Sequence, residues 1–289
     1  MNQMIRPPAV AGKFYPLNKD ELQKQIDDDF EEASDLIKHV ELPEGKKPRA
    51  LIVPHAGYLY SGVVAAAAYS QVKEATYDEV FLFGSSHAGL FDGIALSDYK
   101  EWDTPLGRVQ ASSQVEKIAE SDDAIRQNIF IENTIHKPEH SLEVQLPFLQ
   151  VAIGDKFSIV PGLVGDGSPR ILADSIDNFV EKDDLIIVST DLSHYHDTLE
   201  AEELDEFAIK SILNLDSEPF ENATKSMSAQ DSELIQRSAE ACGASAVALL
   251  IEIAKKRKWS PKRILYMNSG DITGNNFRVV GYAAVGFYE

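Results

Sequence analysis

At 289 residues the chain is long enough to bury a large core, in one large α/β domain or two smaller ones. Its 44% hydrophobic and 26% charged content is that of a globular protein, and a formal net charge of −20 argues against non-specific binding to nucleic acid or an anionic membrane. No leader-like segment opens the chain, no stretch is long enough to span a bilayer, and its single cysteine, Cys242, excludes an intramolecular disulfide, all of which fit a reducing, cytoplasmic setting.

Residues 1–17, with Arg6-Pro7-Pro8 and Phe14-Tyr15-Pro16, read as an extended arm, because proline fixes φ and discourages helix. From Lys19 to Ala33 the apolar positions Leu22, Ile26 and Phe30 recur every four residues, which predicts a helix with an acidic outer face. The turn-rich Pro43–Pro48 leads into a buried strand, Ala50–Val53, and the alanine-rich Ser61–Val72 reads as a crossover helix packed closely on the sheet. Glu79–Phe83 is a second buried strand. Ile94–Ser97, Thr104–Gly107 and Arg108–Gln110 suggest a short ribbon, followed by a helix at Gln114–Glu120.

A helical period follows His140 through Leu142, Leu146 and Leu149, with Pro147 kinking it or starting a new turn. Phe157–Val160 reads as a strand, with Gly162, Gly165 and Gly167 in the loop after it. Ile171–Val180 is helix, Leu185–Val188 strand and Ala201–Leu213 helix. Cys242-Gly243-Ala244-Ser245 opens a further helix to Lys255, and Ile264–Met267 and Val279–Phe287 close the chain as strands. Strands alternating with helices predict a three-layer α/β fold around a mainly parallel or mixed sheet. No low-complexity linker divides the chain, so residues 1–289 read as one domain carrying the 1–17 arm.

Three apolar runs end in small polar residues and then a histidine: His55, His87 and His194. Ligands of open α/β sheets bind outside the carboxyl ends of the strands, so these imidazoles could meet in one crevice. Imidazole is the commonest metal ligand and the side chain best poised for proton transfer near neutral pH. Cys242 sits at an apparent helix start, where the macrodipole favours thiolate; a thiolate with two neutral imidazoles suits Fe(II), Zn(II) or copper. The blander role for Cys242 is that of a small buried hydrophobe.

Asp191 stands three residues before His194, close enough to fix an imidazole tautomer. His196 reads as a surface residue. Glu139-His140-Ser141-Leu142-Glu143 sets an imidazole beside two carboxylates, with Glu143 a ligand, a base or a first-turn acid. Tyr58 and Tyr195 neighbour these positions and could line a cleft or simply pack. Gly84-Ser85-Ser86-His87 lacks the serine-hydrolase elbow, Gly165-Asp166-Gly167 is a turn, and neither a P-loop nor a dinucleotide fingerprint occurs.

At these residues the chain resembles the Memo family, from Arg6-Pro7-Pro8-Ala9-Val10-Ala11-Gly12 through Pro54-His55-Ala56-Gly57-Tyr58, Gly84-Ser85-Ser86-His87, Glu139–Glu143 and Ser189–His194 to Ala241-Cys242-Gly243. The family is similar in fold to the class III extradiol dioxygenases, which hold non-haem Fe(II) with two histidines and a glutamate; in Memo-like proteins a cysteine replaces the glutamate. The resemblance implies His55, His87 and Cys242 as metal ligands, with iron the leading ion and zinc or copper as alternatives. It implies His194 as the acid–base catalyst, with Asp191 and His140 as further catalytic residues of the cleft. A thiolate donates more charge, is oxidisable and alters metal preference, so reaction does not follow from fold. The expected function is redox or oxygen-dependent chemistry on a small molecule. The alternatives are zinc-assisted hydrolysis, or a non-catalytic site that binds metal or peptide.

Overall fold

The computed structural model describes residues 4–229 and 238–289. In chain order, a short strand β1 (Ile5–Arg6) precedes α1 (Lys19–Ile37), whose start is capped by Asn18 accepting from the Asp20 and Glu21 N–H groups. β2 (Ala50–Val53), α2 (Tyr58–Tyr69), β3 (Glu79–Gly84) and β4 (Ile94–Leu96) follow. The hairpin β5 (Glu101–Thr104) and β6 (Gly107–Ala111) leads to α3 (Gln114–Ala119), α4 (Asp122–Gln127), β7 (Ile129–Ile131), α5 (Asn133–His136) and α6 (Gln145–Ile153). Then come β8 (Ser158–Val164), α7 (Pro169–Asp177), β9 (Leu185–Ser189), β10 (His194–His196), α8 (Thr198–Leu213) and α9 (Glu218–Ala229). The last elements are α10 (Ala244–Arg257), β11 (Ser260–Asn268), α11 (Ser269–Thr273) and β12 (Val279–Tyr288).

The centre of the sheet is β8, β3, β9 and β2, side by side and all parallel. β12 runs antiparallel to β2 and carries β11 and β10 as antiparallel neighbours. Beyond β8 the order continues β6, β5, β1, and β4 pairs antiparallel with β8 and parallel with β7. The register sets Val53 beside Ser189 and Phe83 beside Val188, so β2, β3 and β9 end level with one another. Three parallel strands thus release their following residues at one edge.

The interiors of these central strands are apolar because both faces are covered, and the polar residues Glu79, Ser158 and Ser189 stand at strand ends. Leu51, Val53, Leu82 and Ile187 face the layer built from α1, α2 and α6. Ile52, Phe83, Ile186 and Val188 face α7, α8 and α10. The buried run Ala65–Ala68 brings α2 close to its side of the sheet, as its composition predicts. The result is the predicted three-layer α/β architecture. Among the described residues no helix is long and apolar enough to cross a membrane.

Several local expectations need correction. β8 runs through Gly162 to Val164, because the Gly162 position lies against the Phe83 ring and the chain stays extended there. Of the two roles expected of Pro147 the structure shows the second, a new turn: α6 begins at Gln145, so Pro147 falls in its first turn, where its missing N–H has no intrahelical partner to lose. The ribbon is the β5–β6 hairpin alone, since Ile94–Leu96 pairs with β8 and β7. The helix after Cys242 starts at Ala244 with Gly243 at its N-cap.

Candidate metal centre

His55 follows β2, His87 follows β3, and Asp191 follows β9, all at the shared edge. The turn before α10 brings Cys242 to the same place. Its Sγ lies 3.1 Å from His55 Nε2, and one donor atom each from His55, His87 and Cys242 falls within 4.8 Å of the others. The Asp191 segment stitches the group together. Its Oδ1 accepts the His55 N–H at 2.7 Å, its own N–H points to Cys242 Sγ at 3.2 Å, and its carbonyl accepts the Cys242 N–H at 3.3 Å.

Gly243 lets this turn close on β9. A Cβ there would sit 2.7 Å from Thr190 Cβ and 2.8 Å from the Ser189 carbonyl oxygen, closer than real side chains approach. Its N–H instead donates to Thr190 Oγ1 at 2.8 Å.

The two imidazoles have their other ring nitrogens committed. Ser189 Oγ donates to the Ser141 carbonyl at 2.6 Å and accepts from Gln145 Nε2 at 2.9 Å. Its remaining lone pair, 2.9 Å from His55 Nδ1, therefore takes the Nδ1–H and leaves Nε2 bare towards Cys242. His87 Nδ1 lies 2.9 Å from Glu139 Oε1, which leaves its Nε2 as the ring nitrogen turned to Cys242. The Glu139 carboxylate also accepts the backbone N–H groups of His87, His140 and Ser141. Burial alone would raise Glu139, but these bonds hold it well below the usual carboxylate range. Metal-bound histidines characteristically donate the second ring N–H to a carboxylate or similar acceptor.

Hydrogen bonding to Cys242 and to Glu139 lifts His87 to about 9, and burial pushes the Cys242 thiol up. A divalent ion would displace those protons, since it binds the neutral imidazole and the thiolate. Two imidazole lone pairs and a sulfur, with supporting acceptors in place, fit a borderline or soft transition ion. His87, Glu139 and His140 also place donor atoms within 4.8 Å of one another. There the carboxylate already accepts hydrogen bonds from three N–H groups and His87 Nδ1, so that trio is a support and not a second seat.

The other predicted residues divide. His140 joins the cluster, with ring centroids 4.4 Å from His87 and 5.4 Å from His55; burial, then neighbouring His55, pushes it down to about 4, so it is neutral at pH 7. Phe14 of the arm covers it at 4.7 Å. His194 donates Nδ1–H to the Leu192 carbonyl at 2.8 Å, leaving Nε2 bare. Asp191 does not orient His194, as the spacing suggested, because its carboxylate is turned to the His55 backbone.

Glu143 is no ligand or base. Fully buried, it pairs with Arg6 at 2.7 Å and accepts from Ala9 N–H, Val10 N–H and Tyr15 Oη. Tyr58 is core, donating to the Val144 carbonyl at 2.6 Å. Tyr195 is exposed with a left-handed φ of 69° and stacks under Arg278. His196 is half-buried between Glu200 and Glu240, at 3.0 and 2.9 Å. Sequence reasoning missed Ser189 and Arg6, and gave Glu139 no role; the one signal was the run of polar residues flanking His140.

A mixed α/β sheet that gathers two histidines and a cysteine at the ends of its parallel strands defines a protein with a His/Cys cluster suited to a metal ion. Residues 6–286 match the model of the Memo-like protein family, and the chain belongs to that family. A MEMO1 family protein of Sulfurisphaera tokodaii is 36% identical over 297 residues, spanning 98% of this chain and 99% of its own. One from Methanosarcina mazei is 35% identical over 289 residues, with 97% and 98% covered. A crystal structure of an uncharacterized Escherichia coli K12 protein superposes with a TM-score of 0.50 at 9% identity, over 83% of this chain and 99% of that one, and so shares the fold.

Proposed function

We propose that this chain is a mononuclear metal protein that uses iron for redox or oxygen-dependent chemistry on a small molecule. One observation carries the reading: the bare Nε2 of His55, the Nε2 of His87 and the Cys242 sulfur converge, while Ser189 and Glu139 hold the opposite ring nitrogens. The likeness of the Memo family to extradiol dioxygenases favours iron, and residues 1–289 are read as one domain around this site.

A bound ion would supply electron-transfer and Lewis-acid capacity at the meeting point of those three atoms. The chain's own groups do the rest. Neutral His140 offers a hydrogen-bonding ring beside His87, and Phe14 shields it from water on the arm side. His194, its Nδ1–H fixed on the Leu192 carbonyl, presents Nε2 as a proton carrier. Asp191 acts on geometry, holding the His55 backbone and the Cys242 turn. The sulfur ligand favours one second reading, zinc-assisted hydrolysis with His194 as base.

Metal analysis after anaerobic purification tests the reading. Wild-type protein should carry iron at about one ion per chain, and Cys242→Ser little, since loss of a soft ligand weakens metal binding far more than folding. His194→Ala should keep its iron and lose roughly 10²–10⁴-fold in whatever turnover is found. Stoichiometric zinc that iron does not displace would transfer the site to the hydrolytic reading.

A further inference from the structure

Beside Cys242 a cavity of about 110 Å³ opens between the Ser85–Ser86 turn, Phe91 and the first turn of α10. A second, of about 200 Å³, continues from it towards Pro169 and Ala248, and the two share Asp166, Thr224 and Ser245 as walls. We infer that this two-lobed pocket is the seat of the substrate, and that it takes a short, elongated, uncharged molecule bearing both hydrogen-bond donor and acceptor groups, such as a primary amide. The inference rests on the metal-site reading above, because the first lobe ends on the Cys242 ligand.

Size comes first. At roughly 30 Å³ per water-sized group, the lobes hold on the order of ten such groups, enough for a small chain and too few for a folded partner. Polarity comes next. Ser86, Thr224 and Ser245 line the lobes together with Ala223, Ala241, Ala244 and Ala248. Ser85 Oγ is shielded from solvent and has no hydrogen-bond partner, so Thr224 and Ser245, not Ser85, supply the wall's hydroxyl contacts. Thr224 Oγ1 lies 3.2 Å from Ser245 Oγ and donates to the Phe220 carbonyl, so Ser245 keeps hydrogen-bonding capacity for a guest.

Charge decides the class. Among the described residues no lysine, arginine or histidine lines either lobe, and Asp166 and Glu221 are the acidic groups present. An anion would be buried beside Asp166 without a countercharge. A cation would meet the positive N-terminal end of α10, whose Ala244 and Ser245 also line the first lobe. A neutral molecule satisfies both ends: its donor meets Asp166 and its acceptor meets the helix N-terminus.

The test uses metal-free, alanine-methyl-labelled full chain and three probes of one length: butanamide, butylammonium and butyrate. Butanamide should shift the Ala244 and Ala248 methyls and bind at least tenfold more tightly than either ion. Ser245→Leu, which fills the junction of the lobes, should abolish those shifts. Thr224→Val, of the same shape, should weaken them severalfold, and it decides the matter if Ser245→Leu fails to fold. Equal or tighter binding of either ion would overturn the inference. So would shifts that persist in both variants, or no shift with any probe. Because the probes are scored without metal, failure of the metal reading shows separately, as lost zinc uptake by the wild-type chain.

Discussion

Ser189 makes three hydrogen bonds that leave its hydroxyl one orientation, and through it His55 has one tautomer. Glu139 does the same for His87 with a charge added. If these partners set the ring nitrogens for a metal, Glu139→Gln should lower affinity for Zn(II) or Co(II) roughly 10–100-fold while the ion still binds. Competition titration against a chelator measures this, and an unchanged affinity would contradict it. The donors themselves were legible in the sequence, since an apolar run ending at a histidine already places His55 and His87. Ser189 and Glu139 were not, because a hydroxyl or carboxylate acquires its role only from a partner 134 or 52 positions away. The Asp191–His194 spacing misled for the converse reason: neighbours in sequence, they turn to different partners.

At the scale of elements, the arm shows how a buried charge is put to structural use. Arg6 pairs with Glu143, donates to the carbonyls of His136 and Glu139, and lies over the Trp102 ring, so the arm braces the turn that presents His140. Glu143→Gln leaves Arg6 buried without its counter-ion and should cost about 3–5 kcal/mol in urea unfolding, with metal stoichiometry unchanged in the protein that remains folded. Loss of metal without loss of stability would instead return Glu143 to the ligand set.

A second buried acid lies between α1 and α2. Asp29 faces Gly62, its Oδ2 has no partner, and burial, with Glu32 and Asp28 nearby, raises it to about 7. Between about pH 4 and 7 the folded chain thus holds a proton that the unfolded chain has released, and stability from this group falls as pH rises. Relative to Asp29→Asn, wild type should lose roughly 2–3 kcal/mol between about pH 5 and pH 8. Parallel denaturation curves for the two proteins across that range would refute it. Most long elements were readable because their period repeats for several turns, but the twelve-residue α9 was not read at all. α4, α5, β7, β10 and α11 were not, being at most six residues long and fixed by what they pack against.

For the whole molecule, sheet topology is what makes the site. β2, β3 and β9 are far apart in sequence, and only their parallel pairing brings His55, His87 and Asp191 to one edge for Cys242 to close. Relatives aligned end to end at about a third identity share the frame in which this happens. The alternation of strands and helices foretold the layers, whereas strand order, which decides what meets what, came from the structure.

The most direct test of the central claim is X-ray absorption spectroscopy of the chain loaded with one equivalent of Zn(II). The account predicts one sulfur at about 2.3 Å and two imidazole nitrogens at about 2.0–2.1 Å, with the sulfur shell lost in Cys242→Ser. A first shell of nitrogen and oxygen alone in the wild-type protein would contradict it.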